Sequence, residues 1–135
     1  MIRREALVAL ALLLSAAGGP ALAGTLDGTK PLVCTFEGSV ACDSDGICGS
    51  VEAGDMDLPE SIRVDFEGRR LRSEDGQRSS PIGLKDLSDA VLIAQGNQNG
   101  RGWTMTIDRA SGHMTGTIAE ADGAFIIFGN CKDAQ

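Results

Sequence analysis

Alternating apolar and polar residues in the C-terminal third of the chain predict a set of short β-strands. In 102–108, Trp103, Met105 and Ile107 alternate with Thr104, Thr106 and other polar residues. This two-residue period is typical of a strand with one buried face. Three neighbouring segments also read as strands, at 91–95, 115–120 and 124–128.

The segments between these strands contain the residues that tight turns prefer. They lie at 96–100, 109–112 and 121–123, and each contains glycine, with asparagine or aspartate in the first and third. Short turns join antiparallel neighbours, so the four strands should form a meander. Segment 124–128 is apolar on both faces, which predicts a central strand or one covered from outside.

A long first strand is predicted at 32–42. Leu32, Cys34, Phe36, Val40 and Cys42 would share one face, with a bend at Gly38, because glycine inside a strand often marks a bulge.

The middle of the chain predicts one clear hairpin and several weaker elements. Ile62, Val64 and Phe66 alternate with Arg63 and Asp65, and the chain then turns back into 69–72. We expect an edge strand at 81–84 and one helical turn at 85–90. Together these segments predict an all-β fold, a small antiparallel barrel or sandwich of about eight short strands.

Residues 1–23 have the pattern of a cleavable signal peptide. Two arginines precede an apolar run that is short for a membrane span, and Ala21 and Ala23 form a small-x-small cleavage site. Gly24 follows, where a lipoprotein would need cysteine. We therefore expect export without a membrane anchor, a mobile lead-in at 24–31 and a single β domain at 32–135.

Four cysteines remain after this cleavage, and an even number in an exported protein predicts disulfides. If the first and last strands pair antiparallel, Cys34 lies beside Cys131. Cys42 and Cys48 then pair across a short turn. No C-x-x-C pair is present, so a zinc site is not expected.

The charge balance is acidic. The chain has 12 basic and 19 acidic side chains, and cleavage removes two Arg and one Glu, which leaves a net charge of −8. This balance disfavours nucleic acid and anionic membrane surfaces as partners.

No catalytic or cofactor motif stands out. His113 is the only histidine and no nucleophile elbow is present. Residues 43–46 begin like a calcium loop, but Ile47 interrupts the oxygen ligands, so turn chemistry explains them better. The glycines of 96–102 match no phosphate-binding pattern. Trp103 is expected in the core rather than on a ligand platform.

The motif W-x-x-x-I-D-R-x-S-G at 103–112, followed by G-x-C at 129–131, resembles a pattern in small exported bacterial β proteins without an established function. This likeness covers the C-terminal third and implies a hairpin fold with a disulfide. Size, acidity and disulfides also give a general similarity to periplasmic lysozyme inhibitors, although this chain has no tyrosine to match their tyrosine-containing loops.

These observations favour a periplasmic or secreted, non-enzymatic binding protein without a cofactor. Binding is expected on the loops 49–59 and 73–80 or at the mouth of the barrel. Asp55, Asp57 and Glu60 are the candidate binding residues, and a basic protein is the expected partner. The alternatives are a small hydrolase using paired carboxylates and a carrier of a small apolar ligand.

Overall fold

The computed structural model describes residues 25–134, which form ten strands and one short 3-10 helix. The signal peptide predicted at 1–23 lies outside the described residues. The helix is Ala53–Met56, and the strands in chain order are β1 (Leu32–Asp43), β2 (Cys48–Ser50), β3 (Ser61–Asp65), β4 (Arg70–Ser73), β5 (Ser79–Pro81), β6 (Leu84–Leu87), β7 (Val91–Gln98), β8 (Arg101–Asp108), β9 (His113–Glu120) and β10 (Gly123–Asp133).

Nine of these strands form one curled antiparallel sheet with the order β5-β4-β3-β1-β10-β9-β8-β7-β6, while β2 pairs with β1 outside this path. The sheet is a half-barrel. Its two ends approach each other where β5 meets β7, with the Pro81 carbonyl oxygen only 2.5 Å from where a Cβ of Gly96 would lie. The all-β prediction is confirmed, and a curled single sheet corresponds to the barrel alternative rather than the sandwich.

The first and last strands pair as predicted, but in the middle of the sheet. Cys34 lies directly opposite Cys131, with a Cα–Cα distance of 4.0 Å and a disulfide between them. The second disulfide joins Cys42 and Cys48, whose Cα atoms are 4.1 Å apart. Two disulfides indicate an oxidising, extracellular-type environment.

The predicted bend in β1 is present, and it corrects the predicted face of the second half of that strand. The register with β10 shifts between Phe36 and Gly38, so Glu37 is an extra residue. A one-residue insertion exchanges the two faces of everything that follows. After the bulge Ser39 is opposite the buried Ile127, so Val40 and Cys42 lie on the outer face and do not share a face with Cys34.

The C-terminal meander follows the prediction closely. The strand predicted at 124–128 belongs to β10, which is central between β1 and β9. The first turn is shorter than expected, because β7 and β8 continue to Gln98 and Arg101 and leave only Asn99 and Gly100 between them. Both have positive φ, 52° and 78°, as a tight two-residue hairpin requires.

The helical turn predicted at 85–90 was wrong. Residues 84–87 form β6, which pairs with β7 in direct register. The Ser88 hydroxyl accepts the Val91 N–H at 3.1 Å and so closes a hairpin turn instead of capping a helix. Pairing with the exposed edge of β7 thus outweighs the weak local preference for helix.

The lead-in segment is attached to the body at Leu26, which is buried. The Leu26 N–H donates to the Arg109 carbonyl at 3.0 Å, and the Arg109 guanidinium donates to the Leu26 carbonyl. The polar composition of 24–31 did not predict this attachment.

One end of the half-barrel is filled with apolar side chains. Those with no exposed surface are Leu32, Cys34, Val64, Phe66, Leu92, Ala94 and Ile107. The disulfide between Cys34 and Cys131 lies among them. This packed end fixes the curvature of the sheet and holds the strands that continue into the open end.

Candidate functional site

The open end of the half-barrel contains a cleft of about 710 Å³ on the concave face, a size typical of small-molecule sites. The inner faces of β3, β4, β8, β9 and β10 form its walls and floor. Its mouth lies among segment 57–59, segment 77–80 and the turn between β7 and β8. The cleft therefore lies where both predicted binding loops meet the mouth of the barrel.

The floor is apolar and has a depression at Gly116. Met105 and Ile127 lie directly opposite Gly116 on its two sides, in β8 and β10. A Cβ atom placed at Gly116 would meet its nearest neighbour, Ile127 Cβ, at 3.8 Å, which is ordinary contact. Met114 also lines the cleft, and its thioether, like that of Met105, adapts readily to different shapes.

Trp103 forms one wall and links the two ends of the sheet. It faces inward with Met105 and Ile107, as predicted. It is half-buried and lines the cleft, however, so the expectation that it lies in the core holds only in part. Its Nε1 donates to Ser80 Oγ of β5 at 3.0 Å. The residue opposite is Gly96. A Cβ there would lie only 2.5 Å from an indole carbon and 2.5 Å from the Pro81 carbonyl oxygen. Gly96 is therefore required for the indole and β5 to approach β7.

Arg78 connects the two loops of the mouth. Its guanidinium donates to the Asp57 carbonyl and lies 3.7 Å from the Asp57 carboxylate. The loop around Arg78 is held by Ser73, whose hydroxyl donates to Asp75 and accepts the Arg78 N–H. The hydrogen bond from the Ser73 hydroxyl, together with one from the Gln77 N–H, lowers the pKa of Asp75.

Arg101 anchors the 3-10 helix segment to the sheet. Its NH1 donates to the Met56 carbonyl at 3.1 Å, and its Nε lies 2.6 Å from Glu120 Oε1. The contact with Glu120 is an ion pair without hydrogen-bond geometry. The guanidinium also lies over the Phe125 ring, 5.7 Å from its centre.

The electrostatics of the cleft follow from these contacts. The charged groups of Arg78 and Arg101 are each engaged with a carboxylate. Arg72 also borders the cleft, and the rest of the polar rim is neutral. It comprises Gln77, Ser79, Ser80, Gln98 and Asn99. An apolar floor with a few neutral hydrogen-bonding groups suits a mostly apolar ligand.

The three predicted binding residues do not all lie in the cleft. Asp57 lines the cleft and contacts Arg78, whereas Asp55 and Glu60 are exposed beside the mouth and do not line it. A role for the three in binding a basic partner stays a prediction.

The other candidates have structural explanations. His113 is exposed at the start of β9. The Asp43 carboxylate accepts the N–H groups of Asp45 and Ile47, so the calcium-like segment is an aspartate-stabilised turn. Within the described part of the chain, no group of three or more His, Cys, Asp or Glu residues could hold a metal ion.

The cleft itself was not predicted, because its shape depends on register. The sequence shows inward-facing Met105 and a glycine in each of two strands. It does not show that Gly116 lies opposite Met105, or that Gly96 lies opposite Trp103.

No protein-family model, curated protein or solved structure matches this chain. Within residues 25–134, no helix has the length and apolar character needed to cross a membrane.

Proposed function

We propose that this protein is an exported, non-enzymatic binding protein that takes a small, mostly apolar ligand into the cleft. The main support for this proposal is the empty space on the concave face of the half-barrel. The packed end of the half-barrel is filled by its own side chains, whereas the open end leaves about 710 Å³. The interior of a small barrel is usually filled by its own side chains.

Binding rather than catalysis agrees with the residues that surround the cleft. Its neutral polar groups can position a ligand, and neither a histidine nor a free cysteine is among its lining residues. The disulfides and the signal-like segment support export. We propose the periplasm or the extracellular medium as the site of action.

The fluorescence of Trp103 can be used to follow ligand binding, because Trp103 is the only tryptophan and lines the cleft. A panel of apolar molecules of graded size, together with the dye anilinonaphthalene sulfonate, should shift or quench its fluorescence. Native mass spectrometry of the protein purified after export should show any ligand acquired in the cell.

Gly116→Leu should fill the floor of the cleft and reduce binding at least tenfold. There is room for its Cβ, and the backbone does not have positive φ. The matched control is Gly102→Leu, which places the same side chain on the exposed outer face of β8, where nothing lies within 4 Å. Equal affinities for both variants, with folding intact by circular dichroism, would contradict binding in the cleft.

A second proposal concerns the acidic residues beside the mouth. Asp55 and Glu60 are exposed, so a basic protein could contact them without entering the cleft. Replacing Asp55, Asp57 and Glu60 by their amides should weaken capture of such a partner, and more so at low salt. Asp122→Asn, in the exposed turn between β9 and β10, is the control. A pull-down unaffected by the three substitutions and by salt would exclude this role.

A further inference from the structure

The outer face of the half-barrel carries a row of basic side chains, although the chain as a whole is acidic. Arg72 of β4 lies directly opposite Arg63 of β3. Arg63 lies opposite Val33 of β1, which in turn lies opposite Lys132 of β10. Partners in register share a face, so Arg72, Arg63 and Lys132 form one line across four adjacent strands. We call this line the basic row.

The basic row is on the outer face because its neighbours in sequence point inward. Leu32 and Val64, which flank it, are paired with each other and have no exposed surface. Arg72 and Lys132 are exposed, and Arg63 is half-buried. Adjacent strands are about 4.8 Å apart, so the backbones of the three basic residues lie within about 15 Å of one another.

No carboxylate neutralises the basic row within residues 25–134. The ion pairs there are Arg78 with Asp57 and Arg101 with Glu120. Asp65, the nearest acid along the same face of β3, instead accepts the Gly68 N–H. Glu74 follows Arg72 by two residues but lies within 4.0 Å of none of the three cations. The row is therefore unpaired in a chain with an excess of acidic residues.

This arrangement opposes folding. Like charges directly opposite each other on paired strands are destabilising, and an acidic residue at either position would relieve the repulsion. Residues that violate such a local rule without structural compensation are characteristic of functional sites. The close pair Arg63 and Arg72 gives two guanidinium forks on adjacent strands, an arrangement suited to oxyanions.

We propose that Arg63 and Arg72, with Lys132 at the end of the row, form a binding site for a phosphate-class anion carrying two or more negative charges. Neutralisation of both guanidinium groups by one anion removes the repulsion across the two strands. The acidic remainder of the protein does not prevent this, because the ionic atmosphere screens charges beyond about 8 Å at physiological salt. Arg72 also borders the cleft, whereas Arg63 and Lys132 do not line it. The anion would therefore bind on the outer face, and the Arg63 variant tests this site separately from the ligand of the cleft.

Two probes test the site and distinguish the source of the anion. Inorganic pyrophosphate, followed by calorimetry and by NMR shifts of the β3 and β4 amides, reports a soluble anion. Sedimentation with vesicles containing phosphatidic acid, a phosphomonoester that can carry two negative charges, compared with phosphatidylcholine vesicles, reports a phosphate displayed on a lipid headgroup. Binding of either anionic probe supports the site, and binding of neither overturns it.

Substitutions then assign the residues. Arg63→Gln and Arg72→Gln should each weaken binding about tenfold, because each substitution removes charge-assisted hydrogen bonds to the anion. Lys30→Gln makes the same change in net charge on the exposed lead-in and should leave affinity within twofold. An equal loss for Lys30→Gln would show that only overall charge matters and would overturn the assignment.

Arg72→Glu separates binding from stability. It places a carboxylate opposite Arg63, so the thermal midpoint should rise by a few degrees while pyrophosphate or vesicle binding is lost. A variant that binds normally, or one that loses both binding and stability, would contradict the proposal.

Discussion

The two ends of the half-barrel are built from the same strands but are packed differently. Along β8, Ile107 has no exposed surface and Met105 is 5% exposed, whereas Trp103 is only half-buried. Along β1, Leu32 and Cys34 are completely buried, but Phe36 is partly exposed. Packing therefore decreases along each strand, from a filled core to an open cleft.

This difference shows how a small domain can separate stability from binding. The packed end has the longer disulfide closure and most of the completely buried side chains, so it should carry most of the folding free energy. The open end has glycine, methionine and polar rim residues, and its walls are held by directed contacts such as Trp103 to Ser80. Substitutions should therefore have different consequences at the two ends.

The largest expected effect is removal of the disulfide at the packed end. It joins residues 97 apart in sequence, so replacing Cys34 and Cys131 by serine should cost about 4 to 5 kcal/mol of unfolding free energy by chain-entropy reasoning. The Cys42–Cys48 disulfide closes only 6 residues and should cost about 2 kcal/mol. Urea unfolding of both double variants measures the difference. Equal losses would show that the packed end is not the dominant source of stability.

Side-chain truncation should give the next largest contrast. Ile107→Ala removes a completely buried side chain and should cost about 3 to 4 kcal/mol. Trp103→Ala removes a larger side chain, but one that is half-buried beside the cleft, so about 2 kcal/mol is expected, including its hydrogen bond to Ser80. Denaturant midpoints followed by circular dichroism provide the measurement. A greater loss for Trp103 would mean that the cleft wall is part of the essential core.

The packed end is the region that the sequence predicts well. Alternation in 102–108, the turn at 109–112 and the Cys34–Cys131 pair follow from local patterns plus the single assumption that the first and last strands are neighbours. The helical turn predicted at 85–90 is the exception there. Local rules work there because each side chain has one buried or exposed environment, set by the two-residue period.

The open end was predicted less well, for two physical reasons. The extra residue at Glu37 exchanged the two faces of the rest of β1. Gly38 indicated a bend there, but a glycine does not determine whether a residue is inserted and the faces are exchanged. The cleft depends on which residues lie opposite each other, as Gly116 does with Met105 and Ile127. Alternation within one strand does not determine register between strands, so the loops could be named as binding segments but the cleft between them could not.

The smallest expected effect is on acid stability, and it should differ between the two ends. Asp108, in the turn beside the packed end, accepts the N–H and the hydroxyl of Ser111, and the pKa of its carboxyl is lowered mainly by the backbone N–H. Asp75 holds the loop at the mouth, and its pKa is lowered mainly by the Ser73 hydroxyl. A lowered pKa stabilises the folded state above the unfolded pKa of about 3.9, and that stability is lost as pH falls through the folded pKa.

Asp108→Asn should therefore reduce global stability slightly at neutral pH and flatten its decline in acid. Asp75→Asn should instead increase hydrogen exchange only in residues 73–80 and leave the unfolding midpoint unchanged. Identical global effects of the two substitutions would show that the mouth loop and the packed end unfold as one cooperative unit.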